Sequence, residues 1–183
     1  RYDVSAEKIV AVEALLRWRH PTRGEIPPGV FIPLAQNTSL MDEITQWVIG
    51  AALEQLQEWR LQGITLPVSV NISVSDLSRS GFADALEARV LRAGLVPNDI
   101  RIECLETEKA LESETALNEM DMLKLRGFKI LLDDFGAGYS NINYLRRIPI
   151  DIIKLDRSLT SRIAQDRASQ IIVRNVIQML KEL

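Results

Sequence analysis

Six side chains in this 183-residue chain are of types that do chemistry when brought together: Glu13, Asn71, Glu103, Asp133, Asp134 and Lys154. All but Asp134 fall where short β-type runs can be phased. Strand side chains alternate between faces, so Glu13 points away from Val10 and Val12. By the same count Asn71, with Ser69 and Ser73, opposes Val68, Val70 and Ile72, and Glu103 opposes Ile102 and Cys104. Asp133 opposes Ile130 and Leu132, while Lys154 shares a face with Ile152, opposite Ile153 and Leu155. Four successive strands thus send an oxygen-bearing side chain to one side, toward their C-terminal ends, and the fifth sends a lysine. That end is where α/β barrels and open α/β sheets bind ligands.

Carboxylates held side by side cannot all stay ionised unaided; their pKa values rise or a cation joins them. Glu13, Asn71, Glu103 and Asp133 offer hard oxygen donors only, a set suited to Mg²⁺ or Mn²⁺. Asp134 beside Asp133 allows a second ion, with Asp133 bridging. Two ions about 4 Å apart clamp a phosphodiester and lower the pKa of a bound water, with Lys154 beside that water as an electrostatic or hydrogen-bonding aid. Taken alone, Asp133-Asp134-Phe135-Gly136 is also good turn chemistry, so the chemical reading rests on all five strands together.

The elements that must position these groups alternate along the chain. Periodicity predicts strands over 9–16, 66–72, 100–105, 128–133 and 150–155. Between and after them lie helices: one with Ile44, Trp47, Val48, Ala51, Ala52, Leu56 and Trp59 on its apolar face, one over 82–93, one over 108–126, and a last one facing inward through Val173, Val176, Ile177, Leu180 and Leu183. The stretch with Pro21, Gly24, Pro27, Pro28 and Pro33 reads as a loop, and Tyr2 as a strand stub. Strands and helices in this order imply parallel crossovers and an α/β class. Five strands suffice for an open doubly wound sheet, whereas a closed eight-stranded barrel takes about 250 residues; length favours the sheet and the phased polar residues favour the barrel.

Composition removes other classes. The chain is 46% apolar, 26% charged and 5% aromatic, with a formal net charge of -3, so it is neither disordered nor a bulk binder of nucleic acid polymers. One cysteine and one histidine build neither a disulfide framework nor a zinc site, and fit a reducing, cytoplasmic setting. No run approaches the ~20 apolar residues that span a bilayer, so no membrane contact is expected from this segment. His20 in its Pro-rich loop reads as structural, Cys104 as a core thiol, Trp47 and Trp59 as packing, and Arg146-Arg147 as a solvated turn.

The motifs resemble the EAL-domain phosphodiesterases that linearise cyclic di-GMP. The resemblance lies in Glu13-Ala14-Leu15-Leu16-Arg17-Trp18, His20-Pro21, Gly24, Ile26-Pro27 and Phe31-Ile32-Pro33-Leu34-Ala35. It continues in Val70-Asn71-Ile72-Ser73, Asp133-Asp134-Phe135-Gly136-Ala137-Gly138-Tyr139-Ser140 and Lys154-Leu155-Asp156-Arg157-Ser158. It implies a modified (β/α)8, TIM-like barrel with an antiparallel first strand. Residues 1–183 then read as a single EAL-like domain present as an incomplete fragment, lacking most of the first strand and the C-terminal barrel units, and weakly active or inactive alone. It further implies a first ion on Glu13, Asn71, Glu103 and Asp133 and a second on Asp133 and Asp134. Lys154 would contact the attacking water, Leu16, Arg17, Asn71 and Asp133 would face substrate, and Glu106 would steady the loop after Asp134. Gln36 and Leu105 stand where the family usually carries an acidic residue and a threonine. The implied activity is metal-dependent hydrolysis of cyclic di-GMP to linear pGpG, with a degenerate domain that binds without hydrolysis, or a protein-binding scaffold, as alternatives. Sensory or GGDEF domains are expected in the parent chain, whose EAL part is cytoplasmic, and homodimerisation is left open.

Overall fold

The computed structural model describes residues 1–36, 38–105, 113–137 and 145–182. Two short strands, β1 (Tyr2–Asp3) and β2 (Lys8–Ile9), pair antiparallel. They lead into β3 (Val12–Ala14), so the single strand expected over 9–16 is split at Val10 and Ala11. Val10 is tied instead to Arg1, its N–H donating to the Arg1 carbonyl at 3.0 Å. A hairpin of β4 (Trp18–His20) and β5 (Gly24–Ile26) follows. His20 closes its turn by accepting the backbone N–H of Thr22 and Arg23 on Nδ1, a structural role as expected.

The stretch read as a Pro-rich loop contains a helix, α1 (Pro28–Ala35). Pro28 sits at the first helical position, where a missing N–H costs nothing and the fixed φ suits the helix; Pro33 forfeits one internal hydrogen bond, which eight residues anchored by buried Phe31 and Ala35 tolerate. Helix α2 (Ser39–Leu61) starts at Thr38, whose hydroxyl accepts the Leu40 N–H, and stops before Gly63 at φ 76°. After it come β6 (Val68–Asn71), α3 (Val74–Leu77), α4 (Phe82–Arg92), β7 (Ile100–Leu105), α5 (Glu114–Leu125), β8 (Lys129–Phe135), β9 (Ile152–Leu155), α6 (Arg157–Thr160) and α7 (Arg167–Glu182).

Five strands form one parallel sheet in the order β3, β6, β7, β8, β9. Its two faces differ as the alternation requires. Val68, Val70, Ile72, Ile102, Cys104, Ile130 and Leu132 point outward into the main core, against Ile49, Leu53 and Leu56 of α2, Leu86 and Val90 of α4, and Met120 and Leu123 of α5. Glu13, Asn71, Glu103, Asp133 and Lys154 occupy the other face. The sheet is not flat: Lys154 on one edge strand donates to Glu13 on the opposite edge strand at 3.2 Å, although four interstrand steps in a flat sheet would span about 19 Å. Only a sheet curled as a barrel arc brings its edges within reach of two side chains, which removes the open doubly wound alternative.

Two packing expectations are corrected: Ile177 on the inward stripe expected of α7 is 41% exposed, and Trp47 lies outside the core of α2. Trp47 is 64% exposed, because the buried stripe of α2 runs through Thr45, Ile49, Ala52, Leu53 and Leu56. Trp59 does pack against the core, and Cys104 is buried with its thiol donating to the Leu131 carbonyl at 3.4 Å.

A buried carboxylate ties two helices together. Glu119 on α5 accepts the Gly81 N–H at 2.7 Å and the Ala83 N–H at 2.8 Å, capping the otherwise open N-terminus of α4 from outside the helix. Truncation would leave the buried Ala83 donor and the part-buried Gly81 donor unpaired. Glu119→Ala is therefore expected to lower unfolding stability by about 1–3 kcal/mol, read as a drop in the urea midpoint at unchanged slope.

Candidate metal centre

Strand register sets the geometry. In the parallel ladder Glu13 pairs with Ser69, Asn71 with Glu103, and Leu105 with Asp133. The site positions therefore climb by two residues between β3 and β6 and between β7 and β8 and by none between β6 and β7, the stagger of strands tilted in a barrel. The side chains so placed meet: one carboxylate oxygen from each of Glu13, Glu103 and Asp133 lies within 4.8 Å of the other two. Lys154 Nζ stands among them, donating to Asp133 Oδ2 at 2.7 Å, to Glu13 Oε2 at 3.2 Å and to Glu103 Oε1. Asn71 joins from β6, its amide donating to Glu13 Oε1 at 3.1 Å.

Asp133 and Asp134 share a bulge. Leu132 pairs with Ile153 and Phe135 with Leu155, so two residues on β8 oppose the one residue Lys154 on β9. Asp134 takes up the extra length in the left-handed region at φ 55°, and its N–H donates to Asp133 Oδ1 at 2.9 Å. Strict alternation would have turned Asp134 to the helical face. The bulge instead leaves its carboxyl in the field of Asp133, Asp156, Lys154 and Glu13. Gly136 follows at φ 91°, a conformation that favours glycine, and a Cβ there would press on the Leu159 side chain of α6.

The charges are mutually adjusted. Burial, with Glu103 only 1% exposed, and a hydrogen bond with Asp133 push the Glu103 carboxyl up to about 7 despite Lys154. Burial pulls Asp133 the same way, but hydrogen bonds with Glu103, Lys154 and the Asp134 N–H outweigh it and hold Asp133 below its ordinary value. Burial would depress Lys154, yet its hydrogen bonds to Asp133 and Glu103 win and raise it. Asp134 is raised by burial and by the neighbouring Asp133 and Asp156. An ammonium with a raised pKa is a hydrogen-bond donor and a fixed positive charge; it is no base at neutral pH.

The residues present suit a divalent cation. Three carboxylate oxygens around one point are all hard donors, and the positive Lys154 already marks that point as one that demands a cation. Glu13, Asn71, Glu103, Asp133 and Lys154 thus come together as their phase predicts, with Asp134 alongside. Leu16 and Arg17 line a cavity of about 250 Å³ with Asn71, Glu103, Gln36 and Leu105, and Arg17 donates to the Leu16 carbonyl at 2.8 Å. Glu106 lies outside the described residues, as do residues 138–144 of the loop after Asp134.

Sequence reasoning misses two residues of this region, Thr45 and Asp76. Thr45 lines the same cavity with Ser73, which strand phase already puts on the face of Asn71, and Asp76 lies buried behind them, bonded to both. A signal existed: an aspartate three residues after Ser73, at the start of a short helix, is a capping pattern. Its long-range partner Thr45 was not visible in any local pattern.

In protein stripped of divalent ions, Glu103 carries a folded-state pKa near 7 against an ordinary value of 4.5. The sign follows from linkage: the folded form holds the extra proton, so this contribution to stability is full below about pH 4.5 and is lost as pH rises through about 7. Unfolding free energy in a chelator buffer should therefore fall across that window, and Glu103→Gln should flatten the fall. An unchanged slope in the variant would show that Glu103 does not titrate there.

Comparison with known proteins agrees with this geometry. The family model described as EAL domain matches residues 1–183. The cyclic di-GMP phosphodiesterase PA2567 of Pseudomonas aeruginosa is 39% identical over 186 residues, covering 100% of this chain and 31% of its own length. The bifunctional diguanylate cyclase/cyclic di-GMP phosphodiesterase MucR of the same organism is 34% identical over 176 residues, covering 96% of this chain and 26% of its own length. Among solved structures, the PaMucR phosphodiesterase in complex with c-di-GMP aligns with a TM-score of 0.84 at 33% identity, over 96% of this chain and 71% of that one. The chain thus spans less than a third of the length of these two curated relatives. Matched by the family model along its whole length, this chain belongs to the EAL-domain family.

Proposed function

We propose that the protein containing this chain is a cyclic di-GMP phosphodiesterase that hydrolyses the cyclic dinucleotide to linear pGpG with Mg²⁺ or Mn²⁺, using two ions. The observation that carries the reading is the convergence of Glu13, Glu103 and Asp133 on one point at the C-terminal ends of parallel strands. PA2567, named a cyclic di-GMP phosphodiesterase, and PaMucR, solved with c-di-GMP, support it.

Glu13, Asn71, Glu103 and Asp133 would hold the first ion, and Asp133 with Asp134 the second. Bound there, the ions supply electrophilic polarisation of the phosphodiester and acidify the attacking water. Lys154, kept protonated by its three carboxylate partners, offsets developing negative charge, and an N–H released when ions take up those carboxylate oxygens would orient the water by donating to it. Leu16 and Arg17, on the wall of the adjacent cavity, would bear on substrate. Arg17 is exposed, so its guanidinium can meet a phosphate at little desolvation cost. Glu106 is proposed to steady the loop that follows Asp134. Cyclic di-GMP is the proposed partner, with sensory or GGDEF domains elsewhere in the parent chain, whose EAL part works in the cytoplasm. No helix among the described residues is long and apolar enough to cross a membrane.

The full-length protein should release pGpG from cyclic di-GMP in Mg²⁺ or Mn²⁺ and stop in chelator. Asp133→Asn, which removes the shared charge, and Lys154→Ala should each cut turnover by about a hundredfold or more. Lys154→Ala should leave nucleotide binding largely intact, since its proposed partner is the water. Tight nucleotide binding by the wild type with no turnover would replace the enzyme by a receptor.

A further inference from the structure

Outside the acidic cluster, Asp76 has no exposed surface at all, and both of its oxygens are engaged. Oδ2 accepts the Thr45 hydroxyl at 2.7 Å and the Ser73 hydroxyl at 2.5 Å, and Oδ1 accepts the Arg79 guanidinium at 2.9 Å. Arg79 also pairs with Asp42. The carboxylate therefore reaches α2 twice, directly through Thr45 and through Arg79 to Asp42, while Ser73 belongs to the segment that leaves β6 two residues after Asn71. Ser73 is itself fixed from both sides, since its hydroxyl also receives the Asp76 N–H at 3.2 Å.

Joining a helix to a strand end does not call for such a device. Apolar side chains of similar volume commonly hold two elements together as well as a buried charged group does, without the desolvation cost. What the carboxylate adds is direction: two hydroxyls, from elements far apart in sequence, are aimed at one acceptor. Both belong to residues that line the cavity shared with Leu16, Arg17, Asn71 and Glu103. Their placement sets how far α2 stands from the C-terminal end of β6, and hence the width of that cavity.

We propose that Asp76 is a positioning residue that, through Thr45 and Ser73, fixes the cavity wall beside the acidic cluster and so governs binding of the cyclic dinucleotide rather than ion binding or the chemical step. This rests on the functional reading above. Asp76 touches none of the proposed ion ligands in the described structure; it acts on the pocket that the substrate must enter.

The test uses the full-length protein with Asp76→Asn, Thr45→Val and Ser73→Ala, reading KM, kcat, the Mn²⁺ midpoint and amide hydrogen exchange without ligand. Asp76→Asn should raise KM about tenfold, as expected when one well-made hydrogen-bonded contact is lost from binding. The Mn²⁺ midpoint and kcat should stay within about twofold, since ground-state and transition-state binding fall together. Amides over residues 72–77 should exchange faster, and Thr45→Val should shift KM the same way by less. A fall in kcat at unchanged KM, or a parallel loss of Mn²⁺ affinity, would overturn the proposal, as would unchanged exchange and KM. Should Asp76→Asn fail to fold, unchanged KM in both hydroxyl variants overturns it equally. A wild type that neither binds nor hydrolyses cyclic di-GMP overturns the functional reading instead, and is told apart because the exchange measurement needs no nucleotide.

Discussion

Three carboxylates on the concave face of a parallel sheet must share a cation, and the rest of this structure is arranged around that requirement. Lys154 meets it among the described residues by touching Glu13, Glu103 and Asp133 together. The contact is possible only because β3 and β9, at opposite edges of the sheet, curl toward each other. Curvature, in turn, is held from outside, where the apolar faces of the same strands pack on α2, α4 and α5. The outer core and the inner charge cluster are therefore two consequences of one alternation.

Sharing a cation does not make the three groups equivalent. Glu103, deepest of them, keeps its proton up to about pH 7, whereas Asp133 stays ionised because it accepts hydrogen bonds from several directions. A divalent cation would compete for the same oxygens as the ammonium, and its affinity would include the release of protons held by the cluster. Lys154, unable to deprotonate in this field, is confined to donating. These assignments follow from position within the cluster rather than from residue type.

Around the cluster the backbone departs from regular geometry where regular geometry would misplace a group. The bulge at Asp133 and Asp134 gives β8 two acidic side chains against one lysine, and a left-handed residue absorbs the extra length. The Gly136 turn, closed down on Leu159, follows at once. On the other flank, Asp76 ties α2 to the segment after β6. Site and scaffold are thus continuous, with buried polar groups where direction matters and apolar packing elsewhere.

Alternation and helical periodicity are local and survive without any knowledge of neighbours, so the α/β class, the β7 boundaries and the common face of Glu13, Asn71, Glu103, Asp133 and Lys154 are legible from the residues alone. The long motifs likewise carry the resemblance to the family in their order and residues alone. The sequence did not reveal α1, since Pro28 and Pro33 mask a helix whose support comes from burying Phe31 and Ala35. Nor did it place Trp47, whose apolar character suits a core stripe but which lies 64% exposed once α2 is docked. Curl over flatness, which length and polar phase answered in opposite senses and the motifs answered only by resemblance, is settled by the contact between the edge strands, and the bulge that turns Asp134 toward the site and the partnership of Thr45 with Asp76 belong to tertiary structure alone. Each depends on which distant strand or helix lies alongside, and contacts between residues 31 or 141 positions apart leave no local period to read.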